Sequence, residues 1–170
     1  MDPTRINLRE DPLNRRMTGI TAHGHISFSV PYMSEIAPNL WQGGCVNGLR
    51  LPAFIKHLLS LYDWESYEVH HRLRTSHAVE MYDSLDQATD QVDRWARWVN
   101  ARRRTGAVLV HCQAGLNRSS LVTVRALMLG GATADEAIGL VREKRSPACL
   151  CNPAFEKWLR DIPAAEAVNP

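Results

Sequence analysis

A cysteine and an arginine, with five residues between them, lie near the middle of the chain in the segment 111–119, whose sequence is HCQAGLNRS. A cysteine thiolate is a strong nucleophile, and the planar guanidinium of arginine binds two oxygens of a phosphate at once. Gly115 allows a tight backbone turn between the two side chains. The spacing therefore predicts a site in which Cys112 attacks phosphorus while Arg118 holds the phosphate oxygens.

The residues on either side of this segment predict the elements that position it. Ala107 to Val110 form a short, uninterrupted apolar run that is typical of a buried parallel strand. After the loop, an apolar segment of helical length runs to Leu129 and stops at two glycines. A loop between a strand and a helix N-terminus directs several backbone N–H groups at one point, where they stabilise a thiolate or a phosphate dianion.

The remaining pattern predicts further strands and helices in alternation. Apolar residues from Leu51 to Leu59 recur at helical spacing, and Ser84 and Thr133 each open a capping-box sequence. Asn152 followed by Pro153 predicts the start of a last helix. We therefore expect an α/β fold, with a central, mostly parallel sheet flanked by helices on both faces and a binding site at the carboxyl ends of its strands.

Length and composition limit the classes of protein to consider. The 170 residues predict a partly disordered N-terminal arm over residues 1–30, one domain over residues 31–163 and a short tail over residues 164–170. A net charge of +2 makes nucleic acid an unlikely partner, and no apolar stretch is long enough to span a membrane. No secretory signal is visible and four cysteines are too few for a disulfide framework, so we expect a cytoplasmic protein, with a monomer favoured.

The segment 111–119 resembles the signature loop of the cysteine-dependent protein phosphatases, and in particular of their dual-specificity branch. Residues 39–44, 145–147 and 152–155 resemble flanking blocks of the same family, so the likeness covers most of the chain. The resemblance implies a phosphotyrosine-phosphatase-like fold that hydrolyses phosphotyrosine, phosphoserine and phosphothreonine in proteins or peptides through a phosphocysteine intermediate. It implies neither a metal nor another cofactor.

The resemblance also assigns roles to the residues of this loop. Cys112 is the expected nucleophile, Arg118 and the backbone bind the phosphate, and Ser119 hydrogen-bonds the sulfur and eases its departure. His111 is expected to orient the loop rather than to act as a base. The backbone N–H groups expected to hold the phosphate oxygens belong to Gln113, Ala114, Gly115, Leu116, Asn117 and Arg118.

The leaving oxygen needs a proton donor, which this family places on a separate loop about thirty residues ahead of the cysteine. Asp83 lies at that separation from Cys112 and is the favoured candidate. Asp86 and Asp63 remain alternatives, although Asp86 also suits the first turn of the helix predicted after Ser84.

Other functions stay open at this point. The same scaffold could be a non-catalytic module that binds phosphorylated residues, or a cysteine enzyme of another type such as a sulfurtransferase or an arsenate reductase. The same chemistry could also act on an RNA 5′-triphosphate or a phosphoinositide. Cys149 or Cys151 could act as a resolving thiol for oxidised Cys112, whereas their spacing matches no common zinc motif.

Overall fold

The computed structural model of the protein describes residues 1–163, and the predicted tail at 164–170 lies outside the described residues. The elements within this range are, in chain order, β1 (Leu8–Asp11), β2 (Arg16–Ile20), β3 (Ser27–Pro31), β4 (Met33–Ala37), β5 (Leu40–Gly43), β6 (Ile55–Ser60), β7 (Thr75–Ala78), α1 (Val92–Arg102), β8 (Ala107–His111), α2 (Arg118–Leu129), α3 (Ala134–Lys144) and α4 (Pro153–Asp161). No helix among these residues is long and apolar enough to cross a membrane.

The central sheet has five strands in the order β4-β5-β8-β6-β7. The middle strand β8 is parallel to both of its neighbours, β5 and β6, and β7 is parallel to β6. Only the edge strand β4 pairs in the antiparallel sense, with β5. Together with the four helices, this arrangement confirms the predicted α/β class with a mostly parallel sheet. The helices expected on both faces differ from this expectation, because the buried residues of all four lie in one core cluster and connecting segments cover the opposite face.

Alternate side chains of β8 enter two different apolar clusters, one on each side of the sheet. Val108 and Val110 belong to the larger cluster, which also contains buried residues of all four helices. Leu109 belongs to a smaller cluster covered by connecting segments that contribute Leu51 and Tyr67. Helix α2 is almost completely buried and contacts the other three helices, β5 and β8, so its N-terminus is held firmly next to the end of β8.

The sequence signals at the ends of the last two helices are confirmed. The side chain of Thr133 accepts a hydrogen bond from the backbone N–H of Glu136 at 3.1 Å and begins α3. The side chain of Asn152 accepts from the backbone N–H of Ala154 at 3.0 Å, and Pro153 is the first residue of α4. Each cap satisfies a backbone donor that the helix itself cannot pair.

The prediction of a partly disordered N-terminal arm is wrong in its description of the backbone. Strands β1, β2 and β3 form an antiparallel three-stranded sheet. Its inward residues Met17, Phe28 and Val30 are part of the larger core cluster. These strands have only four or five residues and are separated by turns, so their alternation is too short to be recognised in the sequence.

The helix predicted from Leu51 is also wrong, because the chain forms strand β6 there. Leu59 packs in the larger cluster, while Ile55 and Leu58 pack in the smaller one on the opposite side. A strand that is buried on both faces needs no polar alternation, so a short apolar run can match helical spacing equally well.

The capping box predicted at Ser84 does not open a helix, because α1 begins only at Val92. The side chain of Gln87 instead accepts a hydrogen bond from the backbone N–H of Tyr82 at 2.7 Å, and the carbonyl of Ser84 accepts from Asn152. These bonds hold residues 82–87 as an irregular loop. Asp83 lies on this loop.

We predict that Gly115→Ala destabilises the protein by at least about 2 kcal/mol in urea denaturation. Gly115 has a φ of +73°, and a β-carbon there would overlap the backbone of Gly43 and lie 2.7 Å from Nη2 of Arg145. The matched control is Gly139→Ala, in the middle of α3, where a β-carbon meets no atom within 4 Å. That change is expected to stabilise the protein by about 0.5–1 kcal/mol. Equal effects of the two substitutions would contradict the packing argument.

Candidate active site

Cys112 follows the last residue of β8, and α2 begins six positions later at Arg118. The thiol is buried, and its Sγ lies 3.3 Å from Oγ of Ser119, within hydrogen-bond distance. The backbone N–H of Cys112 donates to the carbonyl of Gly43 on β5 at 3.2 Å. The structure thus brings Cys112 and Ser119 together at the carboxyl end of the central strand, where the sequence predicted them.

The loop from Gln113 to Leu116 has all of its carbonyl groups engaged by surrounding residues. The backbone N–H of Cys45 donates to the carbonyl of Gln113, and that of Leu150 donates to the carbonyl of Leu116. The side chain of Arg145 donates to the carbonyls of Ala114 and Gly115, and the side chain of Gln42 also donates to that of Gly115. Within residues 1–163, the backbone N–H groups of residues 113–118 donate no hydrogen bond to any other group. The loop therefore offers its donors, and not its acceptors, to an incoming anion.

Arg145 is a buried arginine that holds this loop in place. Its Nε donates to the carbonyl of Gly115 at 2.7 Å and its Nη2 to that of Ala114 at 2.9 Å. Its Nη1 donates to the hydroxyl of Ser34 and to the carbonyl of Pro31. Burial lowers the pKa of Arg145 from its ordinary value. No periodic pattern in the sequence indicates this role.

Arg118 is buried beside Cys112, with its guanidinium 5.1 Å from the centre of the Tyr62 ring. Its Nη1 donates to the carboxylate of Asp2 at 2.9 Å and to the carbonyl of Met81 at 3.0 Å. Its Nε has no hydrogen-bond partner in the part of the chain that the structure describes. The arginine is thus anchored through Nη1, and it lines the cavity that contains Cys112.

Asp83 has its carboxylate contacted by three side chains from three different connecting segments of the chain. Nδ2 of Asn117 donates to Oδ2 at 2.9 Å, and Nδ2 of Asn152 donates to Oδ1 at 2.9 Å. Nε2 of His23 lies 3.2 Å from Oδ1. Asp83 lines the same cavity as Cys112 and Arg118, so the structure brings together the three residues that the sequence favoured.

The two alternative carboxylates are placed differently. Asp86 and Asp63 are both exposed, and neither lines the cavity that contains Cys112. Asp63 lines a separate cavity that includes His111 and Tyr67. Asp83 is therefore the carboxylate among the three candidates with access to the thiol.

His111 is buried on the side of the sheet opposite the helices. Its Nδ1 lies 3.2 Å from the carbonyl of Cys112, and its ring meets that of Tyr67 edge-on, with centroids 5.2 Å apart. Burial, together with a smaller contribution from the positive charge of Arg118, lowers the pKa of His111 to about 4, so the imidazole is neutral at neutral pH. A neutral, fixed ring is compatible with the predicted orienting role, which stays a prediction.

The other two cysteines of this region lie near the loop but are protected from ionisation. Burial raises the pKa of both Cys149 and Cys151, and Cys151 accepts a hydrogen bond from Asn117. The thiolate is the form that attacks an oxidised sulfur, so their burial slows any resolving reaction. The resolving role stays a prediction. Across residues 1–163, no group of three or more histidine, cysteine or acidic side chains is arranged to hold a metal ion.

Besides Arg145, four residues that shape the site were not predicted as site residues from the sequence. Asp2 and His23 come from the segment expected to be an arm, while Gln42 and Asn152 belong to blocks noted only for their family resemblance. Their contacts with Asp83, Gly115 and Arg118 join residues 60 to 116 positions apart, so no local spacing pattern could have revealed these contacts.

Comparison with known proteins agrees with this geometry. Residues 55–164 match the family described as dual specificity phosphatase, catalytic domain. The MAP kinase phosphatase with leucine-rich repeats protein 3 of Dictyostelium discoideum is 31% identical over 141 residues, which are 77% of this chain and 16% of that protein. Dual specificity protein phosphatase 19 of Mus musculus is 37% identical over 70 residues, which are 41% of this chain and 31% of that protein. The crystal structure of human DUSP28 superposes with a TM-score of 0.66 at 20% identity and covers 76% of this chain and 91% of that one.

The family match covers more than half of the chain, so the protein belongs to the dual specificity phosphatase family, whose members are cysteine-dependent protein phosphatases. The likeness to the human crystal structure shows that the fold is shared. The chain spans less than half the length of the curated relatives it matches.

We predict that Arg145→Lys lowers the free energy of unfolding by about 2–3 kcal/mol, measured by urea denaturation. A lysine cannot reproduce the planar fork that binds two carbonyls, so at least one buried acceptor loses its donor. Arg160→Lys is the control, because Arg160 forms an exposed ion pair with Asp135 and its replacement is expected to change stability by less than about 0.5 kcal/mol. A change in unfolding free energy at position 145 as small as that of the control would contradict the role of Arg145 in holding the loop.

Proposed function

We propose that the protein hydrolyses phosphate monoesters of phosphorylated proteins or peptides, both phosphotyrosine and phosphoserine or phosphothreonine, through a phosphocysteine intermediate. The observation that supports it is one cavity lined by Cys112, Arg118 and Asp83 beneath a loop of unpaired backbone N–H groups. That set combines a nucleophile, a cation and a proton donor with oxyanion-binding amides, which are the parts that phosphoryl transfer to a thiol requires.

In the first step, the Cys112 thiolate attacks phosphorus opposite the leaving oxygen. The S–P bond forms as the P–O bond breaks, and the protonated carboxyl of Asp83 transfers its proton to the departing alkoxide or phenoxide. Arg118 and the amides of residues 113–118 bind the three non-bridging oxygens, where the negative charge of the transition state is concentrated.

In the second step, a water molecule displaces the sulfur. The carboxylate of Asp83 takes a proton from that water, the new P–O bond forms, and the S–P bond breaks to release inorganic phosphate and the thiolate. Both Asp83 oxygens accept hydrogen bonds from amide groups, which hold the carboxyl group in place beside the cavity. The hydroxyl of Ser119, 3.3 Å from the sulfur, is placed to donate to the departing thiolate.

A reducing, cytoplasmic setting suits this chemistry because the nucleophile must stay a thiol. All four cysteines are free. A relative from Dictyostelium discoideum carries the name MAP kinase phosphatase, which makes phosphorylated protein the first substrate class to test. A panel should also contain a phosphoinositide and an RNA 5′-triphosphate, because the loop recognises the phosphate group that all of these substrates share.

We predict that Cys112→Ser lowers kcat by at least about a thousandfold on every substrate of the panel, because a serine hydroxyl at this position is not ionised. Binding of a phosphotyrosine peptide, measured by fluorescence anisotropy, should persist. A wild-type protein that binds the phosphopeptide but turns over no substrate would identify a non-catalytic binding module and refute the proposed hydrolysis.

We predict that Asp83→Ala lowers kcat/KM for a phosphoserine peptide by about a hundredfold or more, and by much less for an activated aryl phosphate whose leaving group needs no proton. Alanine is preferable to asparagine, whose amide N–H₂ would face the donors of Asn117 and Asn152. The matched control is Asp86→Ala, which changes an exposed carboxylate on the same loop. Equal slowing of both substrate types by Asp83→Ala, or a selective effect of Asp86→Ala on the phosphoserine peptide, would contradict the assignment of Asp83 as the general acid.

A further inference from the structure

Asp2 carries a completely buried carboxylate, although it is the second residue of the chain. Its Oδ1 accepts hydrogen bonds from the backbone N–H of Thr4 at 2.7 Å and from the Thr4 hydroxyl at 2.6 Å. Its Oδ2 forms an ion pair with Nη1 of Arg118 at 2.9 Å. Burying a charge is costly unless it is paired and hydrogen-bonded, and both oxygens of Asp2 meet that condition.

These partners keep Asp2 ionised. Burial alone would raise the pKa of its carboxyl, but the hydrogen bonds from Thr4 and the charge of Arg118 outweigh burial and bring the pKa below its ordinary value. At neutral pH the side chain is therefore an anion in contact with the proposed phosphate-binding arginine.

The position of Asp2 relative to the cavity is the decisive observation. Arg118 and Cys112 line the cavity, whereas Asp2 and Met81 do not. Asp2 and the carbonyl of Met81 both bind the same nitrogen, Nη1, and the Tyr62 ring covers the guanidinium 5.1 Å away. Asp2 thus binds the arginine from outside the cavity, and the buried Nε has no partner among the described residues.

We propose that Asp2 is a positioning residue for the reaction: it fixes the rotation of the Arg118 guanidinium so that its free donors face the phosphate. This inference rests on the proposed function in one respect, that Arg118 binds a phosphoryl group. A bidentate contact requires the plane of the guanidinium to be set before the ligand arrives, and an ion pair to one nitrogen sets it.

The segment that carries Asp2 is bound to the catalytic loop at a second point. Gln113, the residue after Cys112, accepts a hydrogen bond from the backbone N–H of Ile6 at 3.0 Å and donates to the Ile6 carbonyl at 2.7 Å. Between these points, the Thr4 hydroxyl accepts a hydrogen bond from the backbone N–H of Asp83 at 3.0 Å. The segment from residue 2 to residue 6 is therefore tied to the loops that carry the nucleophile and the acid.

The test compares Asp2→Asn with the wild-type protein, using inorganic phosphate as the probe. The dissociation constant of phosphate is obtained from the protection of Cys112 against iodoacetamide, and kcat and KM are measured on a phosphotyrosine peptide. We expect Asp2→Asn to weaken phosphate binding by at least about tenfold, the loss that follows from removing one charge-assisted hydrogen bond. Asp2→Glu should recover part of the affinity, and the control Asp90→Asn, at an exposed residue before α1, should stay within twofold.

Unchanged or tighter phosphate binding in Asp2→Asn would overturn the inference, and tighter binding would show that the N-terminal segment obstructs the site. A purely structural role is tested in the Arg118→Lys background. A lysine has no plane to orient, so Asp2→Asn should then weaken phosphate binding by less than about twofold. The same tenfold loss in both backgrounds would mean that the substitution acts through the fold.

The two proposals fail in different ways. If the wild-type protein hydrolyses none of the substrates but Asp2→Asn still weakens phosphate binding in an Arg118-dependent manner, the proposed function fails and the positioning role stands. If the wild-type protein is active and Asp2→Asn matches it in phosphate affinity, kcat and KM, the function stands and the positioning role fails.

Discussion

The backbone of residues 113–118 can present its N–H groups to one point only if its carbonyl groups are satisfied elsewhere. A buried carbonyl without a donor costs roughly as much as a lost hydrogen bond, so an anion-binding loop needs a dedicated set of donors around it. Arg145, directly after α3, and Gln42, on β5, supply the donors for Ala114 and Gly115, and the backbone N–H groups of Cys45 and Leu150 supply the others. This requirement explains why an arginine with no carboxylate within ion-pair distance, in the described part of the chain, is buried beneath the loop.

The same requirement explains the tight packing around the loop. A β-carbon on Gly115 would overlap the backbone of Gly43, and a β-carbon on Gly43 would overlap the carbonyl oxygen of Tyr32. Helix α2, enclosed by the other three helices, keeps Arg118 and Ser119 at a fixed distance from the end of β8. The free donors of the loop thus depend on the rigidity of the whole central layer, and not on the nine residues of the sequence motif alone.

The central part of this arrangement could be predicted from the sequence. The strand ending at Cys112 and the capped helices α3 and α4 have strong local signals: an uninterrupted apolar run, a capping box and an Asn-Pro start. Strand β6 was missed because burial on both faces removes the alternation that identifies a strand. The N-terminal sheet was missed because its inward residues Met17, Phe28 and Val30 are separated by turns and are too few to form a pattern.

The candidate site also has a part that could be predicted from the sequence and a part that could not. Cys112, Arg118 and Ser119 are neighbours in the sequence and share one motif, whereas Asp83 needed the family resemblance to be selected from three carboxylates. The residues that hold these side chains in place could not be predicted from the sequence, because Arg145, Asn152 and Asp2 act through contacts that only the folded chain creates. Sequence spacing identifies reactive groups, and tertiary packing determines how they are oriented.

The long sequence separation of these supporting contacts has a consequence for how the protein matures. The pairs Asp2–Arg118 and Ile6–Gln113 join residues 116 and 107 positions apart, and Asp83–Asn152 joins residues 69 positions apart. Closing such large loops costs chain entropy that is recovered only once the intervening strands and helices have formed, so these contacts are made late in folding. A nascent or partly folded chain would contain the motif without the hydrogen bonds that orient its side chains. The site would therefore be ready for the proposed reaction only once the native topology is complete.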